Sequence, residues 1–272
     1  MSKCVNYISR HILMRILELF SGTHSIGKVA HKEHEIISLD RDLGATHEDY
    51  TSTNHIKKDI MDWDYKEYEE GHFDIITASP VCLWWSNLRS SWIGRKCKTI
   101  NPDGTIVKKE DIERDIDTYG KPMVDKVFEI IEYFKPKYWW IENPQTGRMK
   151  HYIGEKYPQY NTYYDIDYCK YSDWGYKKST RIWTNIKDFK PKRCKNDCEN
   201  MVNEKGKKRH SVNLSSPIMK EVDGVVVLIN TKETREKYKH IKPMKLVGSG
   251  KNKLERYRIP EKLIQDLLNC CN

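Results

Sequence analysis

The sequence lacks any long hydrophobic run. Its mean hydropathy is −0.79, and no apolar segment approaches the roughly 20 residues that span a bilayer. Residues 1–14 do not resemble a signal peptide, because Asn6, Ser9, Arg10 and His11 interrupt the apolar stretch that such a peptide requires. We therefore expect a soluble, intracellular protein with no membrane partner.

The sequence also lacks internal repeats and a dense set of cysteines. Eight cysteines are spread over 272 residues, and a chain of this length can bury a substantial core without disulfide bonds. Lys and Arg exceed Asp and Glu by 48 to 39, which gives a net charge of +9. This charge suits a polyanionic partner, although lysine-rich proteins with other functions share it. No protein partner is indicated.

Short apolar segments alternate with amphipathic ones in the first part of the chain. Hydrophobic periodicity predicts strands at 15–20, 35–39, 55–60, 73–78 and 138–141, and helices at 26–31 and 115–134. Strands that alternate with helices are typical of a parallel α/β sheet. The first domain is predicted to span residues 1–185.

The composition changes after this domain. Lys, Arg, Asn and Gly dominate residues 187–209, and 225–229 is the one firm strand prediction, so we expect a small, loop-rich region over 186–256. Helical spacing returns with Leu263, Ile264, Leu267 and Leu268. Residues 257–272 are therefore predicted to form a C-terminal helix that packs back on the first domain.

A glycine-containing turn follows the first predicted strand. Gly22 lets the backbone approach a ligand closely, and Asp40, at the end of the second strand, has the spacing of an acid that binds ribose hydroxyls. The usual three-glycine dinucleotide pattern is missing, however, and His24 stands where glycine would be easier. An ordinary strand-to-helix turn explains these residues equally well.

Chemically competent side chains follow two later strands. Cys82 comes directly after the fourth strand, at the edge where open α/β sheets place their ligand crevice. It could be a nucleophile or an inert buried thiol. Glu142 ends the next strand and could be a surface acid, while Pro144 could open a helix that Asn143 caps.

Two further segments have both a functional and a structural interpretation. Residues 83–89 combine Trp84 and Trp85 with Arg89, which could stack on bases and contact phosphate, or could belong to the core. Residues 177–184 carry two lysines and Arg181 beside a short strand. The second segment could be a solvated basic edge.

Taken together, these segments resemble the cytosine carbon-5 DNA methyltransferases, especially the short forms of phages and large viruses. Residues 17–22 resemble the F-x-G-x-G cofactor motif, and Ser79-Pro80-Val81-Cys82 resembles the P-C nucleophile motif. Glu142-Asn143-Pro144 resembles E-N-V, residues 177–181 resemble Q-x-R-x-R, and residues 257–260 resemble the closing segment of the short forms. Their joint order is more specific than any one motif.

The resemblance implies an α/β, Rossmann-like, S-adenosylmethionine-dependent methyltransferase sheet with a small target-recognition domain, acting on DNA. It assigns covalent attack to Cys82, contact with ring nitrogen 3 of cytosine to Glu142, and contact with the carbonyl oxygen of the base to Arg181. Cofactor contacts are implied for Phe20, Ser21, Gly22, Thr23, Asp40, Asp59, Ile60 and Pro80.

The sequence departs from the family pattern at four positions, namely His24, Val81, Pro144 and Ser179. Ser179 removes a cation that would support the target base. An inactive relative that only binds nucleic acid is therefore an alternative, as is a methyltransferase that acts on RNA. An amino-group methyltransferase fits less well, because its motif places an aromatic residue at position 82.

The small region also contains possible metal ligands. Cys194 and Cys198 are separated by three residues, and His210 follows in the same loop-rich segment. These three residues could bind zinc if a fourth ligand joined them. The alternative is a pair of free thiols on a solvated basic loop.

Overall fold

A computed structural model describes residues 13–42, 54–204, 206–211, 219–222, 225–228, 237, 239–240 and 257–271. Its strands are β1 (Arg15–Leu19), β2 (Glu35–Asp40), β3 (His55–Lys57), β4 (Ile75–Ala78), β5 (Tyr138–Pro144), β6 (Tyr163–Asp167), β7 (Ser179–Thr184), β8 (Met201–Glu204), β9 (Lys207–His210), β10 (Met219–Val222) and β11 (Val225–Leu228). Its helices are α1 (Ser25–Ala30), α2 (Lys109–Asp115), α3 (Lys121–Phe134), α4 (Met149–Lys156) and α5 (Glu261–Leu268).

The first seven strands form one sheet in the order β3-β2-β1-β4-β5-β7-β6. Strands β3, β2, β1, β4 and β5 pair in parallel, whereas β7 runs antiparallel to both β5 and β6. The predicted α/β class is confirmed. Sequence periodicity did not predict β6, and β7 was identified only as a short strand beside the basic segment.

Strand β1 is buried on both faces, which explains its continuous apolar character. Leu17 and Leu19 belong to the core cluster that also contains the buried side of α3, while Ile16 belongs to a second cluster with residues of α1 and α5. Helix α5 packs against α1, and Ile259 N donates to Ser25 Oγ at 3.0 Å. The sheet is thus covered by helices on its two faces.

Several predicted element boundaries differ from the structure: β3 ends at Lys57 rather than at Ile60, and β4 begins at Ile75 rather than at Phe73. The helix predicted over 115–134 begins earlier, at Lys109, and the helical run consists of α2, a π-helical turn at Ile116–Gly120 and α3 in direct succession. The strand predicted at 138–141 continues through Pro144. Pro144 therefore ends β5 rather than opening a helix, and Asn143 is a strand residue rather than a cap.

The described part of the chain after β7 contains two antiparallel hairpins, β8–β9 and β10–β11. Residues 225–228 of the predicted strand 225–229 lie in β11, and Ile229 lies outside the described residues. No helix among the described residues is long and apolar enough to cross a membrane.

Candidate active site and a cysteine–histidine cluster

A cavity of about 350 Å³ lies at the carboxyl ends of β1, β2, β4 and β5. The topology of a parallel sheet brings the ends of these strands to one edge. The C-terminal segment closes part of the cavity with Tyr257 and Ile259. Ten of the eleven predicted cofactor and catalytic residues line it, namely Phe20, Ser21, Gly22, Thr23, Asp40, Asp59, Ile60, Pro80, Cys82 and Glu142.

The turn between β1 and α1 has an unusual backbone. Phe20, Gly22 and His24 have φ values of 57°, 41° and 52°. His24 therefore keeps the left-handed conformation that favours glycine, at a cost of about 1–2 kcal/mol for an L-residue. Its ring is fully buried and contacts the ring of His55 edge-on, with centroids 4.3 Å apart. The departure at His24 thus preserves the shape of the turn.

Asp40 faces this turn from the end of β2. Its Oδ2 accepts a hydrogen bond from Gly22 N at 2.9 Å, and its Oδ1 accepts one from Asp42 N at 2.8 Å. Burial raises the pKa of the Asp40 carboxyl above its ordinary value. Each carboxylate oxygen has two lone pairs, so Asp40 can still accept hydroxyl donors from a ribose. These residues therefore fit the adenosyl part of S-adenosylmethionine.

Glu18 is a buried residue of the cavity lining that forms hydrogen bonds to its neighbouring elements. Its carboxyl oxygens accept hydrogen bonds from Ile26 N, Gly27 N and Ser38 Oγ at 2.9, 3.2 and 2.9 Å. Burial raises its pKa to about 7, although these hydrogen bonds act in the opposite direction. Glu18 therefore links β1 to the start of α1 and to β2, and the sequence analysis did not identify it.

Glu142 lies near the end of β5 and is nearly buried. Its Oε1 accepts a hydrogen bond from Tyr168 Oη at 2.8 Å and lies 3.5 Å from Lys178 Nζ. Burial, with a smaller contribution from the charge of Glu142, raises the pKa of Tyr168 well above its usual range, so the hydroxyl stays protonated as a donor. The carboxyl group is thus fixed in orientation and paired with a cation.

Lys178 also acts on Cys82. Burial raises the pKa of the Cys82 thiol, the positive charge of Lys178 lowers it, and the negative charge of Glu142 raises it. Lys178 lines the cavity together with Cys82 and Glu142. A thiol, a carboxyl group and an ammonium group therefore meet at one end of the cavity.

Arg181 does not lie beside Cys82 and Glu142. It is not one of the described residues that line the cavity. Its guanidinium instead binds Asp165 on β6, with Nε–Oδ1 and Nη2–Oδ2 distances of 2.7 and 2.9 Å. It also stacks on Tyr163, 3.5 Å from the ring centroid. In the β5–β7 pairing Arg181 stands opposite Asn143 and not opposite Glu142. Because alternate strand residues face opposite ways, this register turns Arg181 away from Glu142.

Asn143 ties β5 to the loop that carries Cys82. Its Nδ2 donates to Pro80 O at 2.9 Å, and the side chain is 1% exposed. The two tryptophans after Cys82 differ in burial: Trp85 is buried and stacks on Tyr152, whereas half-buried Trp84 stacks on the exposed Tyr119. Of the two interpretations left open for this segment, the structure supports the core interpretation for Trp85.

Arg89 is likewise internal. It is 4% exposed and forms a buried ion pair with Asp115 of α2. Its guanidinium also lies over the ring of Trp84, 5.1 Å from the centroid. Arg89 therefore fixes the loop after Cys82 rather than contacting phosphate.

A second constellation lies outside this cavity. The structure brings Cys194, Cys198 and His210 together and adds Cys169, so that four potential ligand atoms lie within 4.8 Å of one another. Cys169 was not predicted as a ligand, because it lies 25 residues before Cys194, in the turn after a strand that periodicity did not predict. No spacing rule connects it to the other three.

Comparison with known proteins places the chain in a family. It is 36% identical over 264 residues to the "Probable DNA (cytosine-5)-methyltransferase" of Frog virus 3 (isolate Goorha), an alignment that covers 95% of this chain and 100% of the viral protein. No model of a known protein family matches the sequence. The mostly parallel sheet with a cavity at the carboxyl ends of its strands is that of an α/β protein with a ligand site. The chain belongs to the DNA (cytosine-5)-methyltransferase family.

Two solved structures are also similar. One is described as a "putative DNA modification methyltransferase encoded within prophage" from E. coli, with a TM-score of 0.39 and 12% identity, covering 66% of this chain and 51% of that chain. The other is a "SAM dependent methyltransferase from Archaeoglobus fulgidus", with a TM-score of 0.29 and 13% identity, covering 48% and 45%. The chain thus spans about half the length of these two proteins. The family assignment rests on the viral relative.

Proposed function

We propose that the chain transfers a methyl group from S-adenosylmethionine to carbon 5 of cytosine in DNA, through a covalent bond to Cys82. The observation that carries the proposal is the meeting of Cys82, Glu142 and Lys178 at one end of a cavity that contains Gly22 and Asp40. Family membership supports the substrate and the cofactor. An amino-group methyltransferase would need no thiol at this position.

The cofactor is expected to contact the turn after β1, with Asp40 accepting its ribose hydroxyls and Ile60 beside the adenine. Phe20, Asp59 and Pro80 line the same cavity. When bound, S-adenosylmethionine supplies an electrophilic methyl group. The remaining steps depend on side chains of the chain itself.

Carbon 5 of cytosine is a poor nucleophile, and Cys82 makes it reactive. Its thiolate adds to carbon 6 and pushes an electron pair toward carbon 5, which can then take a methyl group. A base then removes the proton from carbon 5, the ring double bond re-forms, and the Cys82 thiolate leaves. The nucleophile is thereby regenerated.

Glu142 and Lys178 stabilise the charge that this addition creates. Oriented by Tyr168, the Glu142 carboxyl group donates a proton to ring nitrogen 3 as the thiolate adds, and takes it back when Cys82 leaves. We assign to Lys178 the contact with the carbonyl oxygen that family resemblance gave to Arg181, because Lys178 lines the cavity and pairs with Glu142. Arg181 would then position β6 against β7 through Asp165.

DNA must present the base outside the helix for this chemistry, because the reacting atoms are inaccessible in a stacked duplex. The region after β7 carries exposed cations that can contact phosphates. They include Lys187, Lys190, Arg193, Lys195, Lys207 and Lys208. We propose that this region, within the predicted target-recognition range 186–256, grips the duplex.

A duplex that carries 5-fluorocytosine tests the proposal. Fluorine at carbon 5 blocks the final proton removal, so the chain should stay attached to the DNA in a denaturing gel when S-adenosylmethionine is present. Cys82→Ala should abolish attachment and methyl transfer. Cys97→Ala is the matched control, since Cys97 is also a half-buried free thiol, and should retain both.

Attachment that survives Cys82→Ala would overturn the covalent mechanism. A wild-type chain that binds DNA but neither attaches nor methylates would favour the inactive relative. An oligoribonucleotide of the same sequence, tested in parallel, should not be methylated; preferential attachment to it would replace DNA by RNA as the substrate.

A further inference from the structure

The cysteine–histidine cluster has the composition of a closed metal site. Cys169, Cys194 and Cys198 are free thiols that are 4%, 7% and 9% exposed. His210 directs Nε2 at two of them, with distances of 3.6 Å to Cys194 Sγ and 3.3 Å to Cys198 Sγ. Three sulfurs and one imidazole nitrogen thus surround one point.

These separations match the edges of a tetrahedron around zinc. With a Zn–S bond of about 2.3 Å and a Zn–N bond of about 2.0–2.1 Å, neighbouring sulfur and nitrogen ligands lie about 3.6 Å apart and two sulfurs about 3.8 Å apart. All four ligand atoms here lie within 4.8 Å of one another. Only small shifts would therefore close the shell on an ion.

The backbone of the loop that carries Cys194 and Cys198 is held in a conformation that directs both thiols to one point. Asn196, between Cys194 and Cys198, has a φ of 62°, which turns the chain back so that both thiols face the same point. Cys194 N donates to Asp167 Oδ2 at 2.8 Å. The neighbouring Asn200 donates through Nδ2 to Cys169 O at 2.9 Å. Hydrogen bonds thus hold the ligand-bearing backbone from both sides.

Ordinary hydrophobic packing is a weak explanation for this cluster. The buried residues here are the three cysteines, with Met201 packed against them. So small a group removes little apolar area from water, and a loop-rich region with a small core is the setting in which proteins use structural metals. An imidazole nitrogen aimed at two thiols also gains more from a shared cation than from van der Waals contact.

We propose that Cys169, Cys194, Cys198 and His210 bind one zinc ion as a closed structural site. Three thiolates and an imidazole in tetrahedral arrangement suit zinc, and four protein ligands leave no position open for catalysis. Each thiol that binds releases its proton to solvent, and no redox step is involved. The proposal is independent of the methyl-transfer mechanism.

The positions of the four ligands indicate a structural role for the ion. Cys169 lies in the turn after β6, whereas Cys194 and Cys198 precede β8 and His210 ends β9. The ion would therefore fasten the β8–β9 hairpin to the main sheet. Cys169 is also adjacent to Tyr168, which orients Glu142, so the same ion would steady one wall of the active site.

Metal content tests the site directly. The full-length chain, purified without chelators, should contain about one zinc per molecule by elemental analysis. Replacement by Co²⁺ should produce the intense visible absorption of tetrahedral cobalt and the near-ultraviolet bands of thiolate-to-cobalt charge transfer. Zinc absent at stoichiometric level, together with no cobalt spectrum after reconstitution, would overturn the proposal.

Variants separate the ligands from other thiols. Cys198→Ser and His210→Ala should each lose most of the bound metal, while Cys97→Ser should keep it. His210→Cys retains four ligands, so it should bind cobalt with stronger charge-transfer bands than the wild type. Because His210→Cys preserves the site, its result stands even if Cys198→Ser fails to fold. Full metal retention in folded Cys198→Ser and His210→Ala would contradict the ligand assignment.

Discussion

At the scale of single residues, the chemistry of the cavity depends on two opposing effects on one thiol. Burial of Cys82 disfavours its thiolate, and the nearby Lys178 favours it. The burial effect is the larger, so the thiol of the free protein has a pKa above its ordinary value. Addition to cytosine should therefore accelerate as the pH rises, because only the thiolate attacks.

Removing the charge of Lys178 should shift this pH dependence. In Lys178→Met the pKa of Cys82 loses its lowering contribution, so the rate of attachment to a 5-fluorocytosine duplex should reach half its maximum at a higher pH than in the wild type. Lys178→Arg keeps the charge and should retain most of the wild-type profile. The measurement is single-turnover attachment between pH 6 and pH 10.

Lys150→Met provides the control for this shift. Lys150 is half-buried in α4, and its Nζ donates to Gln145 O rather than to a cavity group. Its removal should leave the pH profile unchanged. An unchanged profile in Lys178→Met would remove Lys178 from the active site and return the search for the cation to Arg181.

At the scale of elements, the register between strands could not be predicted from the sequence. The order of motifs placed Cys82, Glu142, Gly22 and Asp40 at strand ends, and a parallel sheet brings such ends together. Arg181 could not be judged in the same way, because the face it occupies depends on the pairing of β7 with β5. That pairing is a tertiary contact, and a shift of one residue would reverse it.

The same limit applies to Cys169 and Tyr168. Both follow β6, whose residues Tyr163, Tyr164 and Asp165 are partly polar and lack the apolar run that identified the central strands. An edge strand needs fewer buried residues than a central one. No periodic signal therefore marks the strand that leads to Tyr168 and Cys169.

Packing between elements also explains the glycine at the π-helical turn between α2 and α3. Gly120 ends the π-helical turn, and a Cβ at this position would lie 3.1 Å from two ring atoms of Trp85. Trp85 is buried and stacked on Tyr152, so it has little room to move. Glycine is thus required by the close approach of the ring.

Gly120→Ala should destabilise the fold. The added methyl group overpacks the contact with Trp85, at a cost of about 1–3 kcal/mol, which exceeds the gain of about 1 kcal/mol from the better helix propensity of alanine. Urea unfolding would measure the difference. Gly154→Ala, within α4, meets only the side chain of Asn161 at 3.4 Å and should be neutral or slightly stabilising. Equal stability of the two variants would contradict this account of the turn.

At the scale of the whole molecule, the positions of the cations decide how the net charge of +9 can act on DNA. The cavity is lined by groups of both signs, such as Asp40, Glu142 and Lys178, whereas a set of exposed lysines follows β7. A duplex can therefore be held by the small region while one base enters the cavity. Cofactor binding and DNA binding should then respond to different substitutions.

Lys207 and Lys208, on β9, test this separation. If each contacts one phosphate, the double variant Lys207→Gln/Lys208→Gln should reduce the slope of log Kd against log salt by about 0.9 for each lost contact, while leaving S-adenosylmethionine affinity unchanged. Fluorescence anisotropy with a labelled duplex at several salt concentrations measures the slope. Lys32→Gln is the control, because exposed Lys32 lies near the amino end of β2, whereas the cavity lies at the carboxyl ends of the strands. If the double variant kept the wild-type slope, or if Lys32→Gln reduced it equally, the charge of the chain would act on DNA diffusely and the β9 surface would not be its contact.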